Sequence, residues 1–267
     1  MRSPDPHRTA ERAARVPGAG GAGRAGAAPG RLPAGPYARP MIRAVVLDVG
    51  ECLVDETRRC AAWADWLGVS PHTFSAVLGA VLAAGGGFDE ACAVLRPGFD
   101  GAAERAARAE AGVPEDTYTE ADLYPDARPA LAALRADGLV VGVAGNLTAR
   151  GADVLRGLLA EETELVAASG EWGVAKPDPA FFRRLAGALP FAPGEILHVG
   201  DRWAYDVRPA AEAGLRTALV RRGPWAVLDW ESEEARALPG FRIGGLLELS
   251  GLILNANAGM GKGDGEA

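Results

Sequence analysis

Few residues of this chain suit nucleophilic or metal chemistry, apart from its carboxylates. Of 267 residues, three are cysteine and three are histidine, and no two cysteines have the C-x-x-C spacing. An odd, scattered set of Cys52, Cys60 and Cys92 argues against a disulfide framework or a zinc knuckle and favours a reducing compartment. The scarcity of histidine gives little support to a Ser-His-Asp triad. Carboxylates are therefore the best candidates for the chemistry.

The chain also lacks long apolar runs and an excess of positive charge. No stretch of about 18 consecutive apolar residues is present, so we expect no membrane span. The net charge of −7 argues against nucleic acid, whose phosphates attract clustered Lys and Arg. It leaves a phosphorylated small molecule open, because one cation and one metal ion can reverse the field inside a cleft. We expect a cytoplasmic monomer or homodimer that binds a small molecule.

Residues 1–40 differ from the rest in composition. They contain seven Arg against two acidic residues, a local charge of +5 that leaves −12 for the remainder. This Ala-, Gly-, Pro- and Arg-rich stretch buries too little apolar surface to offset its ordering entropy. We therefore predict a disordered extension that precedes a natural start at Met41. An Arg-rich organelle transit peptide is the alternative, whereas the apolar segment of a secretory signal is missing.

From Ile42 onward, short apolar runs alternate with helical patterns. The predicted strands are 42–47, 139–144, 165–168, 196–199 and 217–220. The helices predicted between them are 126–137, 150–160, 179–189 and 205–213. Buried strands that alternate with helices predict an α/β fold with a doubly wound parallel sheet. The crossovers between its strands are expected to be right-handed.

One long interval has no convincing strand. Residues 57–122 are predicted to form several helices, at 57–67, 71–84, 88–95 and 102–111. An insert this long is too large for a loop and indicates a helical cap domain. The α/β core then comprises 41–56 and 123–254, and 255–267 is predicted to be a flexible tail.

Polar residues follow the ends of several predicted strands. Asp48 follows the first, Asn146 the second and Asp201 the fourth, while Lys176 lies in the loop after the third. Asp206 comes five residues after Asp201. Ligands of doubly wound sheets bind outside the carboxyl ends of the strands. The sequence therefore predicts that these side chains converge on one crevice.

This set of side chains suits phosphoryl transfer. A carboxylate can attack phosphorus and carry the phosphoryl group. Mg²⁺, which prefers oxygen ligands, neutralises the charge that opposes this attack, and a lysine adds a compact positive charge. Lys176 and Lys262 are the only lysines of the chain, so a lysine at position 176 is notable among so many arginines.

Four segments, LDVGECLVDE, VGVAGNLT, GVAKPDP and HVGDRWAYDV, together resemble the haloacid dehalogenase-like hydrolase superfamily over residues 41–254. The resemblance implies that Asp48 is the nucleophile and that Lys176 is the catalytic lysine. It also implies a Mg²⁺ site whose ligands are Asp48, the carbonyl of Gly50, Asp201 and Asp206. The helical insert is similar to the family's cap, which closes over small substrates.

Two positions depart from the family's pattern. Phosphatases of the family usually carry a second aspartate two residues after the nucleophile as general acid and base, and here that residue is Gly50. Glu51 or Asp55 can replace it only if the turn directs one of them inward. The usual phosphate-binding Ser or Thr of the second motif is Gly145 here. We expect the amide of Asn146 and backbone N–H groups near Gly145 to bind the substrate.

Three functions remain open at this point. The first is a Mg²⁺-dependent phosphatase of a small phosphorylated metabolite that forms an aspartyl-phosphate at Asp48. The second is a metal-independent haloacid dehalogenase, since dehalogenases of the family also lack the second aspartate. The third is a weak or inactive binding protein on the same scaffold, because of Gly50 and Gly145. Retention of Asp201 and Asp206 favours the first.

Overall fold

The protein is described here from a computed structural model, which covers residues 40–260. The predicted extension over 1–40 lies, except for Pro40, outside the described residues. Six strands form one sheet: Ala44–Leu47 (β1), Val140–Gly145 (β2), Leu165–Ala168 (β3), Ile196–Gly200 (β4), Arg216–Val220 (β5) and Phe241–Ile243 (β6). Their order is β3-β2-β1-β4-β5-β6, and every neighbouring pair is parallel. The predicted doubly wound parallel sheet is confirmed.

Helices cover both faces of this sheet. The core helices are Ala127–Ala136 (α5), Ala149–Leu158 (α6), Ser169–Trp172 (α7), Pro179–Gly187 (α8), Arg208–Glu212 (α9), Gly223–Asp229 (α10), Glu233–Ala237 (α11) and Glu248–Met260 (α12). Alternate residues of β1 point to opposite faces, as the period of a strand requires. Val45 and Leu47 pack in the core that includes α5, whereas Ala44 and Val46 pack in the core that includes Phe182 of α8. The central strand is thus buried on both sides.

The helical insert between β1 and β2 has a core of its own. Its helices are Thr57–Leu67 (α1), Pro71–Ala83 (α2), Phe88–Leu95 (α3) and Gly101–Glu110 (α4), close to the predicted bounds. Trp63, Phe74 and Cys92 are fully buried within it. The Trp63 indole N–H donates to Glu115 Oε1 at 2.7 Å, which ties the segment after α4 back to α1.

Two elements differ from the prediction. The strand β6 was not expected, because a three-residue edge strand shows no clear pattern. In place of one helix over 205–213, a π-helical turn at Trp203–Val207 precedes a short α9. π-Turns widen the backbone locally and often occur at functional sites, and this one carries Asp206.

The carboxyl-terminal boundary also differs from the prediction. Residues 255–260, expected to belong to a flexible tail, continue α12 to Met260. The side chain of Asn257 accepts from the Ile42 N–H at 2.8 Å and donates to the Ile42 carbonyl at 2.9 Å. This pair of hydrogen bonds joins the last described helix to the chain just before β1.

Among residues 40–260, no single helix is long and apolar enough to cross a membrane. Only α1 and α2, taken together as a pair bent by 105°, meet the criteria of length and composition.

Candidate active site

Asp48 lies at the carboxyl end of the central strand. Its backbone N–H donates to the Val199 carbonyl at 2.8 Å, so the pairing of β1 with β4 continues to Asp48. Its side chain is 14% exposed and reaches a cavity at this edge of the sheet. Because β2 and β4 flank β1 in register, the residues that follow those strands lie beside Asp48.

Lys176 connects two of the predicted carboxylates. Its Nζ lies 2.6 Å from Asp48 Oδ1 and 2.7 Å from Asp206 Oδ1, and its side chain is only 3% exposed. Asn146 holds the backbone of this lysine, because its amide accepts from the Lys176 N–H at 2.8 Å and donates to the Lys176 carbonyl at 2.9 Å. The amide of Asn146 therefore positions the lysine, and its substrate contact stays a prediction.

Asp206 is held by partners on both carboxylate oxygens. Oδ1 accepts from Lys176 and lies 3.3 Å from His198 Nε2, while Oδ2 accepts from the Arg202 N–H at 3.1 Å. A Cβ on Gly200 would lie 2.3 Å from Asp206 Cγ. Glycine is thus needed before Asp201 to let Asp206 approach the sheet. His198 is fully buried and contacts this site through Asp206.

Asp201 completes a compact group of three carboxylates. One oxygen from each of Asp48, Asp201 and Asp206 lies within 4.8 Å of the others. Asp201 is 2% exposed, and its Oδ2 is buried without a hydrogen-bond partner among the described residues. A buried oxygen without a partner beside two more carboxylates fits a hard divalent cation, which binds oxygen ligands. The residues present therefore fit the expected Mg²⁺. The predicted role of the Gly50 carbonyl as a ligand stays a prediction.

The charges of this group are strongly coupled. Burial, opposed by Lys176 and reinforced by Asp206, raises the pKa of Asp48 to about 6. Burial together with Asp206 and Asp48 raises the pKa of Asp201 well above its ordinary value. For Asp206, burial favours the neutral form, but Lys176 and His198 outweigh it and lower the pKa. The Lys176–Asp206 ion pair is thus the charged centre, and a bound cation would favour the ionised forms of the other two carboxylates.

These shifts predict how metal-free protein responds to pH. A carboxyl group whose pKa is raised by folding binds more protons in the folded than in the unfolded state. Its contribution to the free energy of unfolding therefore falls as pH rises from 3.8 to about 6. For Asp48 the loss is roughly 3 kcal/mol at most, and Asp201 extends it to higher pH. The pKa of Asp206 is lowered, so this residue stabilises the folded state, and that stabilisation is lost only as pH falls below 3.8.

Mg²⁺ binds the ionised carboxylates and is expected to cancel this loss. The rise in melting temperature that Mg²⁺ produces should therefore be larger at about pH 8 than at about pH 5. Thermal unfolding in EDTA and in Mg²⁺ measures it, with Asp201→Asn as the control that should lose most of the rise. An equal rise in melting temperature at both pH values would contradict the link between Mg²⁺ binding and the protonation of Asp48 and Asp201.

Gly145 ends β2 directly beside Asp48. A Cβ at this position would lie 3.2 Å from Val49 Cγ2, 3.3 Å from Leu147 Cγ and 3.6 Å from Asp48 Oδ1. A serine or threonine hydroxyl would therefore start next to the Asp48 carboxylate, but only after its apolar neighbours shift. With glycine at position 145, no side-chain hydroxyl is supplied beside Asp48.

A cavity of about 800 Å³ opens over this edge of the sheet. Asp48, Lys176 and Asp201 line one side, and Phe88 and Arg105 of the helical insert line another. The insert thus supplies part of the wall around the site.

Arg202 is a cavity residue that sequence reasoning did not single out. Its guanidinium stacks at 3.7 Å from the Tyr205 ring centroid and 4.3 Å from that of Trp225. No carboxylate among residues 40–260 forms a salt bridge with it, unlike Arg59 and Arg105 in the same cavity. The only sequence signal is an arginine directly after Asp201, followed by aromatic residues. Its guanidinium thus adds a positive charge to the lining of the cavity.

Comparisons with known proteins agree with this geometry. The family model for haloacid dehalogenase-like hydrolases matches residues 42–214. Phosphoserine phosphatase of Thermus thermophilus is 39% identical over 132 residues, 48% of this chain and 49% of that protein. (S)-2-haloacid dehalogenase 1 of a Pseudomonas species is 29% identical over 142 residues, 52% of this chain and 60% of that protein. The chain thus spans about half the length of the curated relatives it matches.

Solved structures show the same fold. The structure of a haloacid dehalogenase-like hydrolase from Bacteroides fragilis superposes with a TM-score of 0.57 at 21% identity, over 78% of this chain and 99% of that one. The family match covers more than half of the chain and includes Asp48, Lys176, Asp201 and Asp206. The chain therefore belongs to the haloacid dehalogenase-like hydrolase family.

Proposed function

We propose that the protein is a Mg²⁺-dependent phosphatase that hydrolyses a small phosphorylated metabolite through an aspartyl-phosphate on Asp48. The charge of the site is the observation that carries this proposal. Asp48, Asp201 and Asp206 oppose a single ammonium group, Lys176, so full ionisation leaves two negative charges. One Mg²⁺ balances them, and the unpartnered oxygen of Asp201 gives it a ligand.

In this proposal, several residues take part in the first step, the transfer of the phosphoryl group to Asp48. Asp48 attacks phosphorus, and Lys176, which contacts Asp48 Oδ1, orients this carboxylate and offsets the charge of the transferring group. Asp201, Asp206 and Asp48 would hold Mg²⁺, which when bound offsets phosphate charge. Asn146 keeps Lys176 in place through its backbone. A water molecule then releases phosphate and restores Asp48.

The helical insert acts in this proposal as a cap that surrounds the leaving group. Phe88, Arg105 and Trp225 form cavity walls away from the carboxylates. Such walls exclude bulk water and select the organic part of the substrate. Arg202, which forms no salt bridge among the described residues and stacks on Tyr205, favours a substrate with negative charge.

A haloacid dehalogenase is the second candidate. It is favoured by Gly50, which leaves out the proton-transfer carboxylate usual in phosphatases of the family, and by similarity to a 2-haloacid dehalogenase. Similarity to phosphoserine phosphatase supports the first candidate. Attack on carbon needs no divalent cation, so it does not account for two buried carboxylates beside Asp48.

An assay of phosphate release and halide release tests both functions. Full-length protein is incubated with a panel of small phosphomonoesters, and separately with short 2-haloacids, in Mg²⁺ and in EDTA. Phosphate release that EDTA abolishes and Mg²⁺ restores is the expected result. Halide release that persists in EDTA would instead establish the dehalogenase. Turnover of neither substrate class would leave a binding protein on a hydrolase scaffold.

A further inference from the structure

The place next to Gly50 is filled by another carboxylate. A Cβ built on Gly50 would lie 2.9 Å from Glu56 Oε1 and 3.1 Å from Glu56 Cδ. Gly50 is not among the glycines with positive φ, so its backbone would accept a side chain and only the space is taken. The carboxyl group of Glu56 therefore lies where a side chain at position 50 would begin.

Glu56 is held in that place from the start of the insert. It lies directly before α1, and Arg59 Nη1 donates to both of its carboxylate oxygens at 3.0 Å. Its side chain is 19% exposed and lines the cavity that also contains Asp48 and Lys176. The group is thus held by Arg59 and lines the same cavity as Asp48.

The two neighbouring carboxylates have other hydrogen-bond partners, although Glu51 also lines the cavity around Asp48. Glu51, at a φ of 51°, accepts from the Tyr124 hydroxyl at 2.5 Å, and its side chain packs against Gly223. Asp55 Oδ1 accepts from the Thr57 N–H at 2.8 Å and lies outside the cavity around Asp48. Of the carboxylates in this turn, Glu56 alone takes the place beside Gly50.

We propose that Glu56 is the catalytic carboxyl group that transfers protons in this enzyme, in place of the side chain absent at Gly50. The proposal rests on the phosphatase function proposed above. It is also consistent with the glycine, because a side chain at position 50 would require the Glu56 carboxyl group to move.

The protons and electron pairs balance over two steps. Asp48 attacks phosphorus, the bond from phosphorus to the leaving oxygen breaks, and that oxygen keeps the electron pair and takes the proton of the Glu56 carboxyl group. Glu56 is protonated at this point of the cycle, and its carboxylate pairs with Arg59 once the proton has left. Water then attacks phosphorus and gives a proton to the Glu56 carboxylate, while Asp48 leaves with the electron pair of its bond to phosphorus. The net reaction is ester plus water to alcohol plus inorganic phosphate.

Glu56→Gln tests the role through its dependence on the leaving group. Phosphate esters of simple alcohols need the proton and should lose about 10²–10⁴-fold in kcat. p-Nitrophenyl phosphate has a good leaving group, so transfer of its phosphoryl group to Asp48 should stay fast. Hydrolysis of the phosphoenzyme should slow, because water then has no carboxylate to take its proton. The expected sign is a burst of about one p-nitrophenolate per site with accumulation of acid-stable phosphoenzyme.

A swap of positions provides the second test. Gly50→Asp alone should be impaired, because its Cβ meets Glu56. Gly50→Asp combined with Glu56→Ala removes that contact and moves the carboxylate to position 50. The double variant should regain at least tenfold over Glu56→Ala alone with an alkyl phosphate. No recovery in a folded double variant would overturn the proposal.

Asp55→Asn is the matched control, because it makes the same change one residue away and keeps an acceptor for the Thr57 N–H. It should retain wild-type rates. Two results would overturn the role of Glu56. In the first, Glu56→Gln has the same rates as Asp55→Asn. In the second, Glu56→Gln loses the same fraction of its rate with the alkyl phosphate and with p-nitrophenyl phosphate, and shows no burst. Those two results would not affect the proposed phosphatase function, which is tested by the activity of the wild-type protein. Loss of phosphatase activity from wild-type protein itself would instead overturn the proposed function.

Discussion

Asp48→Asn is expected to abolish phosphate release, by roughly 10⁴-fold or more. An amide oxygen is a poor nucleophile, so no aspartyl-phosphate forms. The fold should survive, because asparagine has the same shape and can still accept from Lys176 Nζ, which lies 2.6 Å from Asp48 Oδ1. Steady-state rates and acid-quench trapping of the phosphoenzyme measure the two effects separately.

The stability of this variant gives an independent check. Burial raises the pKa of Asp48 to about 6, so wild-type protein without metal holds an unfavourable charge there above that pH. The neutral amide should make metal-free protein at about pH 8 as stable as wild type or more so. Residual activity near that of wild type would show that Asp48 is not the nucleophile.

Lys176→Met is expected to affect both activity and stability. The side chain is 3% exposed and contacts Asp48 and Asp206, so its loss leaves buried carboxylates without their cation. Breaking one partner of a buried pair costs about 3–5 kcal/mol, which urea denaturation of metal-free protein should show. Activity should fall roughly 10³-fold, because the charge on the transferring group is no longer offset.

Two further variants separate charge from shape at this position. Lys176→Met combined with Asp206→Asn should recover part of the lost stability, since it removes one uncompensated charge. Lys176→Arg keeps the charge but places a wide planar group where a compact ammonium contacts two oxygens. It should therefore be more stable than Lys176→Met and still nearly inactive. Unchanged stability in Lys176→Met would mean that Asp206 is not ionised beside it.

Much of the core could be predicted because its signals are local. Short apolar runs of β-branched residues predict buried strands, and the alternation with helices predicts their parallel arrangement. Asp48, Lys176, Asp201 and Asp206 were placed together on this basis, and the structure brings them together. The strand β6 and the π-turn that carries Asp206 could not be predicted, since both depend on packing against the sheet.

The replacement for a missing side chain could not be predicted either. Glu51, Asp55 and Glu56 lie one, five and six residues after Gly50, and no spacing rule selects the most distant of the three. Their directions depend on a left-handed turn at Glu51, a hydrogen bond from Tyr124 and an ion pair with Arg59. These contacts join residues far apart in the chain, such as Glu51 and Tyr124.

The amino-acid sequence by itself determined the parallel α/β sheet, the helical insert and the carboxylates and lysine at its carboxyl edge. It could do so because strand period and strand-end position are properties of consecutive residues. Tertiary structure alone decided that Asn146 holds the backbone of Lys176 and that Glu56 lies beside Gly50. Side-chain direction and burial depend on neighbours from other elements, so these contacts exist only once the sheet and the insert have packed together.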